Sequence, residues 1–524
     1  MSQDQSANLD PSVSPSSSSP EEGAPRGSES LRGPESLKGP EEPNGPSAPG
    51  PTVDSEWADS ELADSESADL EPVALGAPAG VPRGRHLVSI DDLSLAEIRA
   101  LFERADRYAA DLRAFAGTCP GRILASLFYE PSTRTRLSFE SAMLRLGGGV
   151  ITAADMKTSS AKKGESLADT VRVVSGAYSD LIVLRHSSEG AARLATRYST
   201  VPVVNAGDGS HEHPTQTLCD LYTLWVERGR LEGLDVVLAG DLRYSRTIHS
   251  FIYALARFGA NIVCVPQAGL ELPEYVLQRL REEYGAEPVS ADAASLGDLS
   301  EASDAVYITP NKPHQLSLFT ETKQLRVDRV DAVYMTRPQT ERYPELTETG
   351  RYMQLGQDSM AVRGLQDAVV MHPLPRRDEI SEDLDADPRS VYFKQASRGV
   401  PMRMAILAFL LGELEIPDAR PPAAPVLYDL PQLPNGAGNP CPNDNCISHT
   451  ETRHVAPAYR LLARHPLRAA CGYCDQELSF GWVGDRVSRQ SWPAHTPEAR
   501  RVRPERLVFL ADEAEARRRG YREA

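Results

Sequence analysis

The 524-residue sequence predicts an α/β protein with two parallel-sheet lobes, a small C-terminal domain built on paired cysteines and a disordered N-terminal tail. Three observations predict this. Short apolar strands alternate with amphipathic helices through the middle of the chain, the pattern of parallel α/β layers. The first 84 residues are dominated by Ser, Pro, Gly and Glu. Four of the seven cysteines fall in two close pairs, Cys441 with Cys446 and Cys471 with Cys474.

The tail, residues 1–84, contains short imperfect repeats such as Glu29–Pro34 and Glu35–Pro40. It has too little apolar surface to offset the entropy of ordering, so disorder is expected. It also holds most of the acidity. Residues 1–80 carry sixteen Asp and Glu against Arg26, Arg32 and Lys38, so the net charge of −18 leaves only −5 to the other 444 residues. The acidity therefore does not argue for a cationic partner of the folded body. Nucleic-acid binding, which needs a clustered basic face, is not expected either. The first twenty residues have no apolar run, so no secretory signal is expected. The longest apolar stretch, near Met404–Leu411, is far short of a membrane span. Without an export signal, paired cysteines point to a metal before disulfides, and the expected location is cytoplasmic.

Order is expected from His86. Ser94 and Glu97 fit a capping box, and Leu95, Ile98, Leu101, Phe102 and Ala105 recur at helical spacing. Arg122–Tyr129 reads as a buried strand, followed by a turn over Glu130–Thr135 and a helix over Arg136–Leu146. From Val236 the units repeat: strand Val236–Ala239, helix Thr247–Phe258, strand Ile262–Val265, then short strands at Ala305–Ile308, Ala332–Tyr334 and Ala368–Met371. The expected domains are 85–228 and 229–400, with a helix at 401–416 returning to the first. A linker at 417–438, the cysteine module at 439–484 and a charged extension at 485–524, helical or partly ordered, complete the chain. Ligands of open α/β sheets bind beyond the carboxyl ends of strands, in a cleft such as two lobes would leave. Neither a GxGxxG loop nor a P-loop is present, so nucleotide use by the main body is not indicated.

Glu130-Pro131-Ser132-Thr133-Arg134-Thr135-Arg136 lies between a strand and a helix. Backbone N–H groups at a helix start are unsatisfied and attract anions. Ser132, Thr133 and Thr135 add hydroxyls, and Arg134 adds a fork that matches phosphate oxygens. A capped turn bearing a surface arginine is the plain alternative.

The run Phe128–Glu140 closely resembles the carbamoyl-phosphate signature of the carbamoyltransferases. The resemblance continues through Lys162–Thr170, Arg185-His186, Gly207-Asp208-Gly209 and His213-Pro214-Thr215-Gln216-Thr217. It ends with Gly240-Asp241 to Arg246-Thr247, Met335–Gln339 and His372–Arg376. It covers most of 86–415 and implies carbamoyltransferase-like lobes and a reaction between carbamoyl phosphate and an amino acid, with no cofactor in catalysis. It assigns carbamoyl phosphate to Ser132, Thr133, Arg134, Thr135, Ser159, Lys163, Arg185, His213, Gln216 and the main-chain carbonyls of Pro373 and Leu374. Arg134, Thr135, Lys163, Arg185 and His213 are the expected catalytic set. Ser210-His211-Glu212 departs from the commoner family sequence, and its extra imidazole is an expected influence on pH dependence.

The acceptor is expected to be L-aspartate, in pyrimidine biosynthesis. Two arginines, Arg246 and Arg337, suit two carboxylates and would repel a cationic ornithine side chain. The resemblance adds Gln339 and Lys163 to that pocket. His372-Pro373-Leu374-Pro375 also lacks the cysteine expected of ornithine enzymes. The loop bearing Ser159 and Lys163 enters the neighbouring subunit's site in the family, which implies a homotrimer or a dimer of trimers with shared sites.

Cys441-x4-Cys446 and Cys471-x2-Cys474 fit a closed four-thiolate zinc site. The surrounding residues resemble the zinc domain of the aspartate carbamoyltransferase regulatory chain. That chain's nucleotide-binding domain has no counterpart here, because 417–440 is too short to hold it. The competing readings are a different amino-acid acceptor, a non-catalytic scaffold, and a zinc-dependent nucleic-acid binder using the C-terminal arginines.

Overall fold

A computed structural model describes residues 85–154, 164–292, 302–310, 329–338, 354–362, 364–416, 428–429, 441–451, 455 and 457–524. The tail, most of the 417–438 linker, Ser159, Lys163 and Gln339 lie outside the described residues.

Helix α1 (Leu95–Ala110) starts at a capping box in which the Ser94 hydroxyl accepts from Glu97 N and the Glu97 carboxylate accepts from Ser94 N. The first sheet contains β1 (Ile123–Phe128), β2 (Gly149–Ala153), β3 (Leu181–His186) and β4 (Val203–Asp208). All pairs are parallel and the order is β2-β1-β3-β4. Its helices are α2 (Thr133–Arg145), α3 (Leu167–Val173), α4 (Ala191–Tyr198) and α5 (Pro214–Arg228). The second sheet contains β5 (Asp235–Gly240), β6 (Asn261–Pro266), β7 (Val289–Ser290), β8 (Ala302–Thr309), β9 (Arg329–Met335) and β10 (Val369–Met371). It too is parallel, in the order β10-β9-β8-β5-β6-β7. Helices α6 (Arg246–Arg257) and α7 (Glu274–Tyr284) belong to it. In both sheets the chain reverses direction beside its first strand, at β1/β3 and at β5/β8, and ligands gather at such switch points.

The structure moves two sequence-based boundaries. Helix α2 begins at Thr133, not Arg136, so Thr133, Arg134 and Thr135 form its first turn. Polar residues at a helix start carry no apolar periodicity, which is why the turn looked longer. The long helix α8 (Tyr392–Leu410) packs on α1, α2 and α5 and carries Pro401 within it, so the boundary expected at 401 cuts a continuous element.

The last forty residues are also different from expectation. They are neither mainly helical nor an appendage. β14 (Trp482–Asp485), β15 (Gln490–Pro493), β16 (Leu507–Leu510) and β17 (Arg522–Glu523) form one sheet in the order β16-β14-β15-β17. It stands beside the sheet of β11 (Tyr428–Asp429), β12 (Ala458–Arg464) and β13 (Leu467–Cys471). Phe509 is buried and meets the Tyr459 ring edge-on at 4.7 Å. One hydrophobic cluster contains Phe509, Leu507, Tyr459, Ile447 and the four module cysteines together with Leu167, Ile182, Leu184 and Leu194 of the first lobe. The module is therefore packed into the body of the protein.

Truncating a buried phenylalanine costs about 3–5 kcal/mol. Phe509→Ala is expected to lower the urea unfolding free energy by roughly that amount, read from the shift in midpoint. An unchanged midpoint would return the last forty residues to the status of an appendage.

Candidate active site and metal centre

The residues singled out in the sequence lie at the carboxyl ends of strands. β1 leads through Glu130 to α2, β3 ends at Arg185-His186, and β4 ends at Asp208 ahead of His213. In the second lobe, β5 leads to Arg246 at the start of α6, β9 leads to Arg337, and β10 leads to His372–Leu374.

Three helices start here without a side-chain cap. Ser132, His213 and Ser245 occupy the N-cap positions of α2, α5 and α6, and none of them makes a side-chain cap hydrogen bond. Away from this edge, Ser94 and Ser166 cap α1 and α3 in the ordinary way. Unsatisfied N–H groups and the helix dipole make each uncapped start electropositive.

Arginine adds full charge. Arg185 donates to Glu130 Oε1 at 2.7 Å and to the Ala206 carbonyl at 3.0 Å. Arg246 donates to both Glu130 oxygens, at 3.1 and 3.2 Å, and to the Gly209 carbonyl at 3.0 Å. Glu130 thus joins an arginine of the first lobe to one of the second. Both guanidinium groups pass Gly207, at φ +112°, where an added Cβ would lie 2.9 Å from Arg185 Nη1 and 3.1 Å from Arg246 Cζ. Only glycine suits that backbone and that approach.

His213 is buried, and its backbone N–H donates to Ser250 Oγ at 2.9 Å. Burial, then Arg246, Arg185 and Arg403, hold its imidazole well below the usual histidine range, so it is neutral at pH 7. Arg134 is exposed, yet its cation is disfavoured by lost water and by the like charge of Arg337. Its charge is also felt by buried His372, whose Nδ1 accepts from Leu374 N at 2.8 Å and whose Nε2 meets Glu379 at 2.8 Å. The structure therefore gathers Arg185, His213 and Arg246 around Glu130, and Arg134 near Arg337 and His372, while Thr135 is buried in the first turn of α2. Gln216 lies one turn into α5, its Nε2 donating to Asp220 Oδ1 at 2.8 Å.

The four module cysteines are buried, with ligand atoms all within 4.8 Å of one another. Cys441 and Cys474 sulfurs are 3.6 Å apart, as are those of Cys446 and Cys471. A disulfide needs about 2.05 Å. Sulfurs at about 2.3 Å from a tetrahedral zinc lie about 3.8 Å apart, so the cluster fits a structural zinc. Ser448 Oγ donates to Cys446 Sγ at 3.1 Å, a typical support for a thiolate.

Beside this centre the module docks on the first lobe. Glu189 N donates to the Asn445 carbonyl at 3.0 Å and Ile447 N to the Glu189 carbonyl at 2.9 Å. Asn443 Nδ2 donates to Glu189 Oε2 at 2.6 Å. Arg193 pairs with Asp475 at 2.8 Å, and His211 stands between Asp208 at 3.3 Å and Asp475 at 3.1 Å. Burial opposes charge on His211, yet the two carboxylates hold its imidazolium well above the usual range. The extra imidazole noted in the sequence is thus a contact between the first lobe and the docked module. His211, Glu212 and Asp475 also have the spacing of metal ligands. The guanidinium of Arg279 already lies 3.7 Å from Glu212 and 3.6 Å from Asp475, so an ion network accounts for them.

Sequence reasoning missed Glu130, Glu189 and Asp220 as organising residues. Glu130 was visible only as the first residue of a turn, and Glu189 and Asp220 only as acids near a motif. Among the described residues no helix is long and apolar enough to cross a membrane.

Comparison with known proteins identifies the family of the lobes and of the module. Residues 85–226 match the family model for the carbamoyl-phosphate-binding domain of aspartate/ornithine carbamoyltransferases, and 232–410 match the Asp/Orn-binding domain. Residues 440–483 match the metal-binding domain of the aspartate carbamoyltransferase regulatory chain. The aspartate carbamoyltransferase catalytic subunit of Thermoplasma acidophilum is 44% identical over 337 residues, 63% of this chain and 99% of that protein. Its counterpart in Methanococcus maripaludis is 46% identical over 330 residues, 62% of this chain and 98% of that protein. Among solved structures, the catalytic subunit of M. jannaschii aspartate transcarbamoylase matches with a TM-score of 0.51 and 42% identity, covering 63% of this chain and 98% of that one. The Trypanosoma cruzi enzyme in complex with N-(phosphonacetyl)-L-aspartic acid matches at 0.52 and 34% identity, covering 62% and 95%. The chain therefore belongs to the aspartate/ornithine carbamoyltransferase family, and it carries behind its catalytic lobes a metal-binding domain of the aspartate carbamoyltransferase regulatory-chain type.

Proposed function

We propose that this protein transfers the carbamoyl group of carbamoyl phosphate to L-aspartate, giving N-carbamoyl-L-aspartate and phosphate, as a cytoplasmic step of de novo pyrimidine synthesis. The observation that carries this is the convergence of three uncapped helix starts with Arg134, Arg185, Arg246 and Arg337 on the carboxyl edges of two sheets. Such a place suits one phosphorylated and one dicarboxylic molecule together.

In this reading the phosphate sits on the α2 N-terminus, with Ser132, Thr133, Arg134 and Thr135 as donors. The amine of aspartate attacks the carbamoyl carbon, a tetrahedral oxyanion forms, and the carbon–oxygen bond to phosphate breaks. Thr135, Arg185 and His213 face the carbonyl oxygen as its negative charge grows. His213 serves as a neutral donor, since its environment disfavours the imidazolium. Positioned donors of this kind are each typically worth about 10²–10³ in rate. Gln216 and the carbonyls of Pro373 and Leu374 hold the amide and the incoming amine. Arg246, Arg337 and Gln339 take the aspartate carboxylates, with Ser159 and Lys163 reaching in from a neighbouring subunit.

Exposed apolar residues support an assembly with other copies. Leu137 and Leu144 share one face of α2, two helical turns apart, and are 51% and 60% exposed. Ile151 on β2 is exposed as well. We read this surface as a contact in a homotrimer or a dimer of trimers.

Assay of the purified protein for carbamoylaspartate tests the reading directly, and no product at saturating substrates would refute it. Arg337→Ala should raise the KM for aspartate at least about 30-fold, because stranding a partner of a buried charge costs about 2–5 kcal/mol. An unchanged KM would remove Arg337 from the pocket. Mixing inactive Lys163→Ala and Arg134→Ala proteins should restore activity after subunit exchange, and proven exchange with no rescue would rule out shared sites. Chelation should remove one zinc per chain and lower the melting temperature of the whole protein, because the cysteines share a core with the first lobe. A chelated protein with full metal loss and an unchanged melting curve would contradict this.

A further inference from the structure

Asp220 lies one helical turn beyond Gln216 on α5 and is fully buried. Its carboxylate accepts three side-chain hydrogen bonds. Gln216 Nε2 and Gln395 Nε2 both donate to Oδ1 at 2.8 Å, and Tyr334 OH donates to Oδ2 at 3.0 Å. The three donors come from different places: α5 of the first lobe, the long helix α8, and strand β9 of the second lobe. Gln395 also reaches further, its Oε1 accepting from the backbone N–H of His372 at 2.9 Å. His372 opens the turn that carries the Pro373 and Leu374 carbonyls.

A side-chain amide has a donor end and an acceptor end, and reversing it exchanges them. A carboxylate oxygen that takes two amide N–H groups fixes both amides at once. Gln216 must then turn its Oε1 away from Asp220, and Gln395 must turn its Oε1 toward His372. Gln216 is the one of these two glutamines that is not fully buried, so its oxygen end is the one that can meet a substrate. An acceptor there suits the NH2 of a carbamoyl group. A reversed Gln216 would present NH2 to NH2, and a reversed Gln395 would leave the His372 N–H facing another donor.

We propose that Asp220 is a positioning residue for carbamoyl recognition: by holding Gln216 and Gln395, it sets the acceptor groups on both sides of the carbamoyl NH2. This rests on the reading of the cleft as a carbamoyl-phosphate site. Asp220 does not touch the substrate. It acts through one glutamine in the first lobe and, through a second, on the 372–374 turn of the other. Burial pushes its carboxyl up to about 7 against the three hydrogen bonds. A protonated form keeps the arrangement, since a hydroxyl at Oδ2 can donate to the tyrosine oxygen while Oδ1 still accepts from both glutamines.

The test separates carbamoyl recognition from phosphate recognition. Carbamoyl phosphate is measured by its KM, and inorganic phosphate by its inhibition constant, in Asp220→Leu and Asp220→Asn proteins. Asp220→Leu should raise the KM for carbamoyl phosphate about tenfold and lower kcat, while the inhibition constant for phosphate stays within about twofold. Asp220→Asn should recover most of the loss, because its Oδ1 can accept from both glutamines and its Nδ2 can donate to Tyr334. Adding Gln216→Leu to Asp220→Leu should cost little more than Asp220→Leu alone. If Asp220→Leu fails to fold, Gln395→Leu, which leaves Asp220 with Gln216 and Tyr334, should raise the same KM with phosphate inhibition unchanged. An unchanged KM in the folded variant, or equal weakening of carbamoyl phosphate and phosphate, would overturn the inference. Absence of carbamoylaspartate from the unaltered protein would instead overturn the reading beneath it.

Discussion

The constraint on which this structure turns is the collection of like charge. Cations from two lobes must stand close enough to share a small dianionic ligand set, and they repel each other until it arrives. Glu130 answers part of this by bridging Arg185 and Arg246, the one from β3 and the other from α6. Backbone carbonyls at Ala206 and Gly209 take further N–H groups from the same two arginines. Burial keeps His213 from adding another positive charge. The remaining attraction comes from helix starts, which carry partial charge without a mobile side chain and need no reorganisation when a ligand binds.

The C-terminal module follows a different logic. A domain of about fifty residues rarely buries enough apolar surface to stand alone. Here the cysteine cluster supplies one fixed point, the last forty residues add three strands to β14 to make a second sheet, and the first lobe supplies the remaining core. The buried ions at the junction are matched: Arg193 and Arg279 face Asp475, and His211 lies between two carboxylates. His211 and Glu212 directly precede His213, so the contact that seats the module also braces the loop that leads to His213.

Much of the lobes was legible in the sequence because strands buried on both faces read as short apolar runs and each ends in a polar turn. The start of α2 was misplaced because Thr133, Arg134 and Thr135 interrupt any apolar period although they are helical. The last forty residues were misjudged because arginine and glutamate dominate their composition, while the buried strand Leu507–Leu510 is only four residues long. The motif arginines and His213 could be found in the sequence, since each lies in a local pattern. Asp220 could not: its partners Gln395 and Tyr334 are 175 and 114 residues away, and only the fold brings them together. The same holds for Glu130, which looked like the first residue of an anion-binding turn and proves to join the two lobes.

Binding of N-(phosphonacetyl)-L-aspartate, which joins a phosphonate to an aspartate in one molecule, tests the central claim most directly. Titration calorimetry of the full-length protein should give about one site per chain, with affinity reduced by more than about 100-fold in Arg134→Ala and in Arg246→Ala, as expected when a charged partner at each end is removed. Failure to bind, or binding that survives both substitutions, would contradict a shared cleft for phosphate and dicarboxylate.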